Sequence, residues 1–230
     1  MDGLPLILKA GLAGFLSGFL LSIPVGPVNL TIMNEAARRG FFWALFIGIG
    51  ASAMELFYCA VAFTGFASVF ENRFVKTGME LLSFIFLFFL GMKFLLAKSV
   101  VAPTHLGGAT DKFQQRVEAR FQPHSAFMTG FVRTLANPGV LLFWIILAAN
   151  LMSRGWVPAD GPGKSACVAG VGVGTGLWFL LLSFGCSRRR GRVREKTLLR
   201  MEQFSGVCLL VLAVLHGGQI VWQLAHSKNV

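Results

Sequence analysis

Charge is scarce in this chain, and acid is scarcer than base. Only 13% of the 230 residues are charged, about half the share usual in soluble domains. Ten are Asp or Glu, against 21 Lys or Arg. The four cysteines, Cys59, Cys167, Cys186 and Cys208, include no CxxC pair. They read as small apolar packing residues rather than as a disulfide or metal framework. No His, Cys, Asp or Glu set has metal-ligand spacing, no nucleophile stands with a base, and no glycine-rich loop could cradle a phosphate. The expectation is no metal, no cofactor and no catalytic residue.

What fills the space is apolar. The chain is 55% hydrophobic with 23 Phe, and six stretches are nearly free of charge: 10–34, 40–70 with Glu55, 81–97 with Lys93, 125–153 with Arg133, 165–187 and 203–227. A bilayer crossing takes about 20 residues, so each is long enough, or nearly so, for one span. The expected fold is an all-α membrane protein of six transmembrane helices forming one domain over 1–230. The first stretch runs past signal-peptide length and lacks a small-residue cleavage motif, so it is expected to stay as a helix.

The net charge of +11 is distributed by side. On a six-span layout, Lys9, Arg73, Lys76, Arg154, Lys164 and Lys228 share one face and the other 15 cations share the opposite face. The richer face should be cytoplasmic, which puts both termini outside. Seven of those cations lie in 188–200, a topology anchor against anionic lipid rather than a nucleic-acid arm.

Two stretches break the helical pattern. Ser22-Ile23-Pro24-Val25-Gly26-Pro27-Val28-Asn29 lies inside span 1 (about 8–30), and Asn137-Pro138-Gly139 inside span 4 (about 126–150). Proline removes a backbone donor and clashes with the preceding turn. The carbonyls so freed must be buried in protein or line a watery cavity, because lipid cannot satisfy them. Each break is either a kink or a ligand site. Between them, span 2 (about 41–64) carries Gly48, Ala51, Ser52, Glu55 and Cys59 on one small-residue face, which should turn into the bundle. Span 3 (about 77–97) precedes a long cytoplasmic loop, 98–125. There Phe113, Val117 and Phe121 recur every four residues beside cations, as in a membrane-surface helix or an ordinary linker helix. Span 5 (about 165–187) holds Gly170, Gly172, Gly174 and Gly176 for close helix contact, and span 6 covers about 201–225.

The halves resemble each other. Phe15-x-x-Gly18-Phe19 matches Phe127-x-x-Gly130-Phe131, Gly48-Ile49-Gly50 matches Gly170-Val171-Gly172, and Met79-Glu80-x-x-Ser83 matches Met201-Glu202-x-x-Ser205. A repeat of three spans must sit upside down relative to its copy, giving inverted repeats over about 8–97 and 126–225. Inverted repeats with breaks at matching places are the sequence sign of a secondary transporter with a site near mid-membrane.

Few residues there could do chemistry. Glu55 is the one carboxylate well inside a span. A charged acid there costs on the order of 3 kcal/mol or more, so Glu55 could carry a coupling proton, or be a neutral packing group. Arg133 could snorkel to the interface or meet a carboxylate of substrate or of Glu55. Asn29 and Asn137 flank the breaks and could satisfy the opened backbone or a ligand. His216 in span 6 reads as a helix-to-helix hydrogen bond or a proton relay.

Ile23-Pro24-Val25-Gly26-Pro27-Val28-Asn29, Arg38-Arg39-Gly40, and Gly48-x-Gly50-Ala51 leading to an acid near Tyr58 resemble the lysine-exporter and homoserine/threonine-efflux (LysE/RhtB) family of bacterial amino-acid exporters. Gly130-Phe131, Asn137-Pro138 and Ser205-Gly206 continue the likeness. It implies six spans, no enzyme activity, and export of amino acids or similar zwitterions across a bacterial inner membrane, driven by protons. It puts Pro24, Gly26, Pro27, Asn137 and Pro138 along the path, and the acidic position at Glu55. Two departures bear on the cavity: Glu stands where that family often has Asp, and Arg133 where a small or apolar residue is expected. A small amino-acid-like substrate, protons and membrane lipid are the expected partners, with no nucleic acid; a homo-oligomer is compatible with the pattern. The rivals are a transmembrane thiol electron carrier using Cys59 and Cys167, and a metal-ion exporter, for which one carboxylate and one histidine make too small a ligand shell.

Overall fold

The computed structural model describes residues 3–24, 26–65, 73–97, 116–117, 125–188 and 195–226. Among these residues there is no strand. The helices are α1 (Gly3–Ser22), α2 (Pro27–Arg39), α3 (Phe41–Gly65), α4 (Arg73–Leu95), α5 (Ala126–Leu135), α6 (Pro138–Ser153), α7 (Gly161–Arg188) and α8 (Glu195–His226). Apart from Arg116 and Val117, the stretch expected as an amphipathic or linker helix lies outside the described residues, as does the side chain of His216.

Helix boundaries follow backbone chemistry. α1 stops at Ser22, and Gly26, in extended backbone, caps α2 with Pro27 at its first position, where a missing N–H costs nothing. α2 ends at Gly40, whose φ of 87° lies in the region that favours glycine; its N–H reaches Ala36 O at 3.2 Å. This differs from the expected span 1, which held the break within it. α1 completes a span-length helix, Pro5–Ser22, before the break, and α2 is a separate polar helix ending in Arg38 and Arg39.

Among the described residues, Pro5–Ser22, Phe41–Thr64 and Gly161–Arg188 are each long and apolar enough to cross a membrane, and α5 with α6, bent by 68°, makes a fourth candidate. In α4 an apolar stretch runs over Phe84–Leu95. Large apolar side chains face outward along whole helices: Leu8, Leu12 and Leu16 on α1, Phe42, Phe46 and Ile49 on α3, Val207, Val211 and Val214 on α8. An apolar outer surface of this extent suits lipid, and the protein is a membrane protein.

Inside, glycine sets the spacing. α1 lies along α7 and α5 along α3. A Cβ on Gly130 would collide with the Ile47 carbonyl of α3, and one on Gly174 with the Phe15 carbonyl of α1. Without side chains at these points the backbones can touch, which drives helix association in lipid. α3 also packs on α7, α4 on α8, α2 on α3 and α7, and α6 on α3 and α4. Lys9 and Arg154 both approach the Trp156 ring, at 5.9 and 5.8 Å. At the opposite end Arg39 stacks on Trp43 at 4.6 Å and Arg188 on Phe184 at 4.3 Å. Cation–aromatic pairs of this kind fit the two interfaces of a membrane.

Candidate functional site: a cavity between two helix breaks

The two breaks open onto one cavity of about 220 Å³. At the first, a single side chain holds the loosened backbone. Asn29 donates from Nδ2 to Ser22 O at 2.8 Å and to Pro24 O at 2.6 Å, while its Oδ1 accepts from Trp178 Nε1 at 3.3 Å. Ser22 Oγ donates to Gly18 O at 2.8 Å, closing the last turn of α1. Asn29 lies only one turn into α2, so its amide can reach back across the gap.

The second break is held from two directions. Asn137 accepts from Gly139 N–H at 3.1 Å and so caps α6, with Pro138 at the first helical position. The Leu135 carbonyl, left free where α5 ends, accepts from the Tyr58 hydroxyl of α3 at 2.9 Å. Both asparagines therefore serve the backbone, and both still line the cavity.

Glu55 lies three residues before Tyr58, on the same side of α3, and faces the cavity. It is half-buried, and among the described residues no hydrogen bond or ion pair engages its carboxylate. Thr134 lines the cavity opposite, 1% exposed, with its hydroxyl lacking a partner among the described residues. A buried hydroxyl without a partner costs about 1–3 kcal/mol, so this cavity wall is short of one polar contact. The first turn of α2 adds backbone N–H groups with no side-chain cap.

Of the residues singled out from sequence, Pro24, Gly26, Pro27, Asn29, Glu55 and Asn137 line this cavity together. Pro138 and Arg133 do not; Gly139 lines it in place of Pro138. Arg133 donates from Nη1 to Thr31 Oγ1, and the Thr31 hydroxyl donates in turn to Pro27 O at 2.7 Å. Arg133 thus ties α5 to α2 just below the first break. Thr31, Trp178 and Thr134 carried no sequence signal, and Tyr58 entered only as a landmark in the family likeness. Cys59 and Cys167 are both 0% exposed in one core cluster with free thiols, and neither lines the cavity.

A family model of the LysE type translocators matches residues 19–217. The chain belongs to the LysE type translocator family. That family moves solutes and performs no catalysis on them. A Bacillus subtilis (strain 168) protein named "Putative amino acid efflux protein YcgF" is 28% identical over 207 residues, covering 90% of this chain and 94% of that protein. No solved structure matches. The LysE match spans both breaks, Glu55 and the whole cavity lining.

Proposed function

We propose that this LysE translocator exports amino acids or related small zwitterions across the bacterial cytoplasmic membrane in exchange for protons. The observation that carries this reading is the meeting of two proline-marked helix breaks, one from each half of the chain, at a cavity lined by a single carboxylate among the described residues. Each half-helix N-terminus is equivalent to about half a positive charge. Those of α2 and α6 suit a substrate carboxylate, as helix N-termini suit anions generally. Glu55 faces the same space and suits the substrate ammonium or a proton, one excluding the other. Competition of that kind couples the two: protonation releases the amine, and loss of the proton readmits it. Arg133 acts from outside the cavity by bracing α5 on α2, and so fixes the distance between the breaks.

The architecture in this reading is one domain over 1–230 with six spans. Repeats of about 8–97 and 126–225 run in opposite senses, the loop 98–125 is cytoplasmic, and both termini are outside. Helix pairing supports it. Exchanging α1–α2 with α5–α6, α3 with α7 and α4 with α8 turns the α1–α7 contact into α5–α3, and α2–α7 into α6–α3; all four are present. The α3–α7 and α4–α8 contacts map onto themselves. The printed name of the B. subtilis relative supports amino acids as cargo.

The test is a panel of labelled amino acids in proteoliposomes with and without a pH gradient, repeated with Glu55→Gln. The wild type should move at least one amino acid, faster with the gradient. Glu55→Gln should insert normally and lose the gradient-driven flux. Normal flux in that variant removes Glu55 from coupling, and no flux with any amino acid overturns the export reading.

A further inference from the structure

The cavity has two chemically different ends, and the second end has had no role so far. Ser22, Asn29, Glu55, Thr134 and Asn137 come from the two breaks and from α3. α4 adds Phe86, Phe89, Leu90 and Phe94, with Lys93 as the one charged group it brings to the wall. These positions follow the helical repeat of one face. Phe143 of α6 closes that wall, with its ring 6.2 Å from that of Phe86. Leu90 and Phe143 pack in turn on the buried pair Phe94 and Leu209. Phe89, 60% exposed, stands at the rim.

We infer that this wall is a side-chain subsite, and that the protein selects amino acids with a large apolar or aromatic side chain over basic and hydroxylated ones. The inference rests on the export reading above and narrows it. An amino acid whose carboxylate and ammonium lie at the breaks has only one direction left for its side chain, toward α4 and Phe143. A cavity of about 220 Å³ is more than ten times the roughly 10–15 Å³ that one water needs, so a leucine or phenylalanine side chain would occupy space that alanine would leave empty. Lysine would carry a second ammonium into an aromatic wall that already holds the Lys93 cation. Glu55, the one carboxylate lining the cavity among the described residues, is already taken by the α-amine. Threonine would set its hydroxyl against Phe86, Leu90 and Phe143, and burying a polar group unpaired is unfavourable. Aromatic side chains can also gain offset or edge contacts with Phe86 and Phe143.

The experiment uses the purified full-length chain in liposomes under an imposed pH gradient, with labelled L-leucine, L-phenylalanine, L-threonine and L-lysine. Leucine and phenylalanine should move at least tenfold faster than threonine and lysine. Leu90→Glu, which sets a carboxylate in the wall, should shift the lysine-to-leucine flux ratio at least tenfold toward lysine in liposomes matched for inserted protein. Lysine or threonine moving as fast as leucine in the wild type would overturn the inference and leave the export reading standing. An unchanged flux ratio in inserted Leu90→Glu would also overturn it. Movement of none of the four would overturn the inference and tell against amino-acid export itself.

Discussion

Replacing Asn29 with alanine removes three hydrogen bonds at once: those to Ser22 O and Pro24 O, and the one accepted from Trp178 Nε1. The Ser22 bond is buried, and leaving a buried carbonyl unpaired costs about 1–3 kcal/mol. The other two are part-buried beside a cavity whose water can replace the side chain, so each contributes only about 0.5–1 kcal/mol. The sum is roughly 2–5 kcal/mol. For chains of 150–250 residues, each kcal/mol lowers Tm by about 2–4 °C. Asn29→Ala should therefore melt at least about 4 °C below wild type in detergent, and should lose flux because the loosened break no longer shapes the cavity. Asn29→Asp is expected to do no better: it keeps an acceptor for Trp178 but turns oxygens toward two carbonyls. The assay is a thermal melt of the purified protein paired with liposome flux. An alanine variant with wild-type Tm and flux would show that Asn29 does not hold the break, and the site description would fail with it.

Other substitutions follow from the same packing. Gly130→Ala should destabilise by about 1–3 kcal/mol, the usual cost of overpacking, because its Cβ meets the Ile47 carbonyl. Gly176→Ala meets nothing within 4 Å and should be neutral or slightly stabilising, as alanine is the better helix former; paired melts that fail to separate the two would contradict the helix contacts. Cys59→Ala combined with Cys167→Ala should retain export, since both thiols are buried and neither lines the cavity. Loss of flux in that inserted double variant would revive the thiol-carrier alternative.

The breaks were legible because proline changes the backbone wherever it stands. Pro24, Pro27 and Pro138 each remove a donor, and no tertiary context is needed to read that. Glu55 was legible through the small residues that share its helix face, which turned inward as expected. Several things were not. Arg133 reaches Thr31 and Tyr58 reaches Leu135 across 102 and 77 residues of chain, and single positions carry no mark of such partners. The aromatic wall was hidden for a different reason. Lipid is as apolar as phenylalanine, so Phe86 facing the cavity and Ile85 facing outward look alike in sequence, and no polar periodicity separates inside from outside. The same ambiguity blurred boundaries: span 1 was drawn across its break, whereas α1 reaches span length before the break and α2 begins anew.

The claim on which all this depends is that the two breaks bound one chamber reached in turn from either side of the membrane. The direct measurement is Val28→Cys, at the cavity wall, in a chain whose four native cysteines are replaced by alanine. It would be labelled with a membrane-impermeant thiol reagent added to one face or the other of sealed vesicles. Labelling from both faces, slowed by the exported amino acid, is the predicted result. Labelling confined to one face under either gradient, or untouched by every amino acid tried, would contradict it.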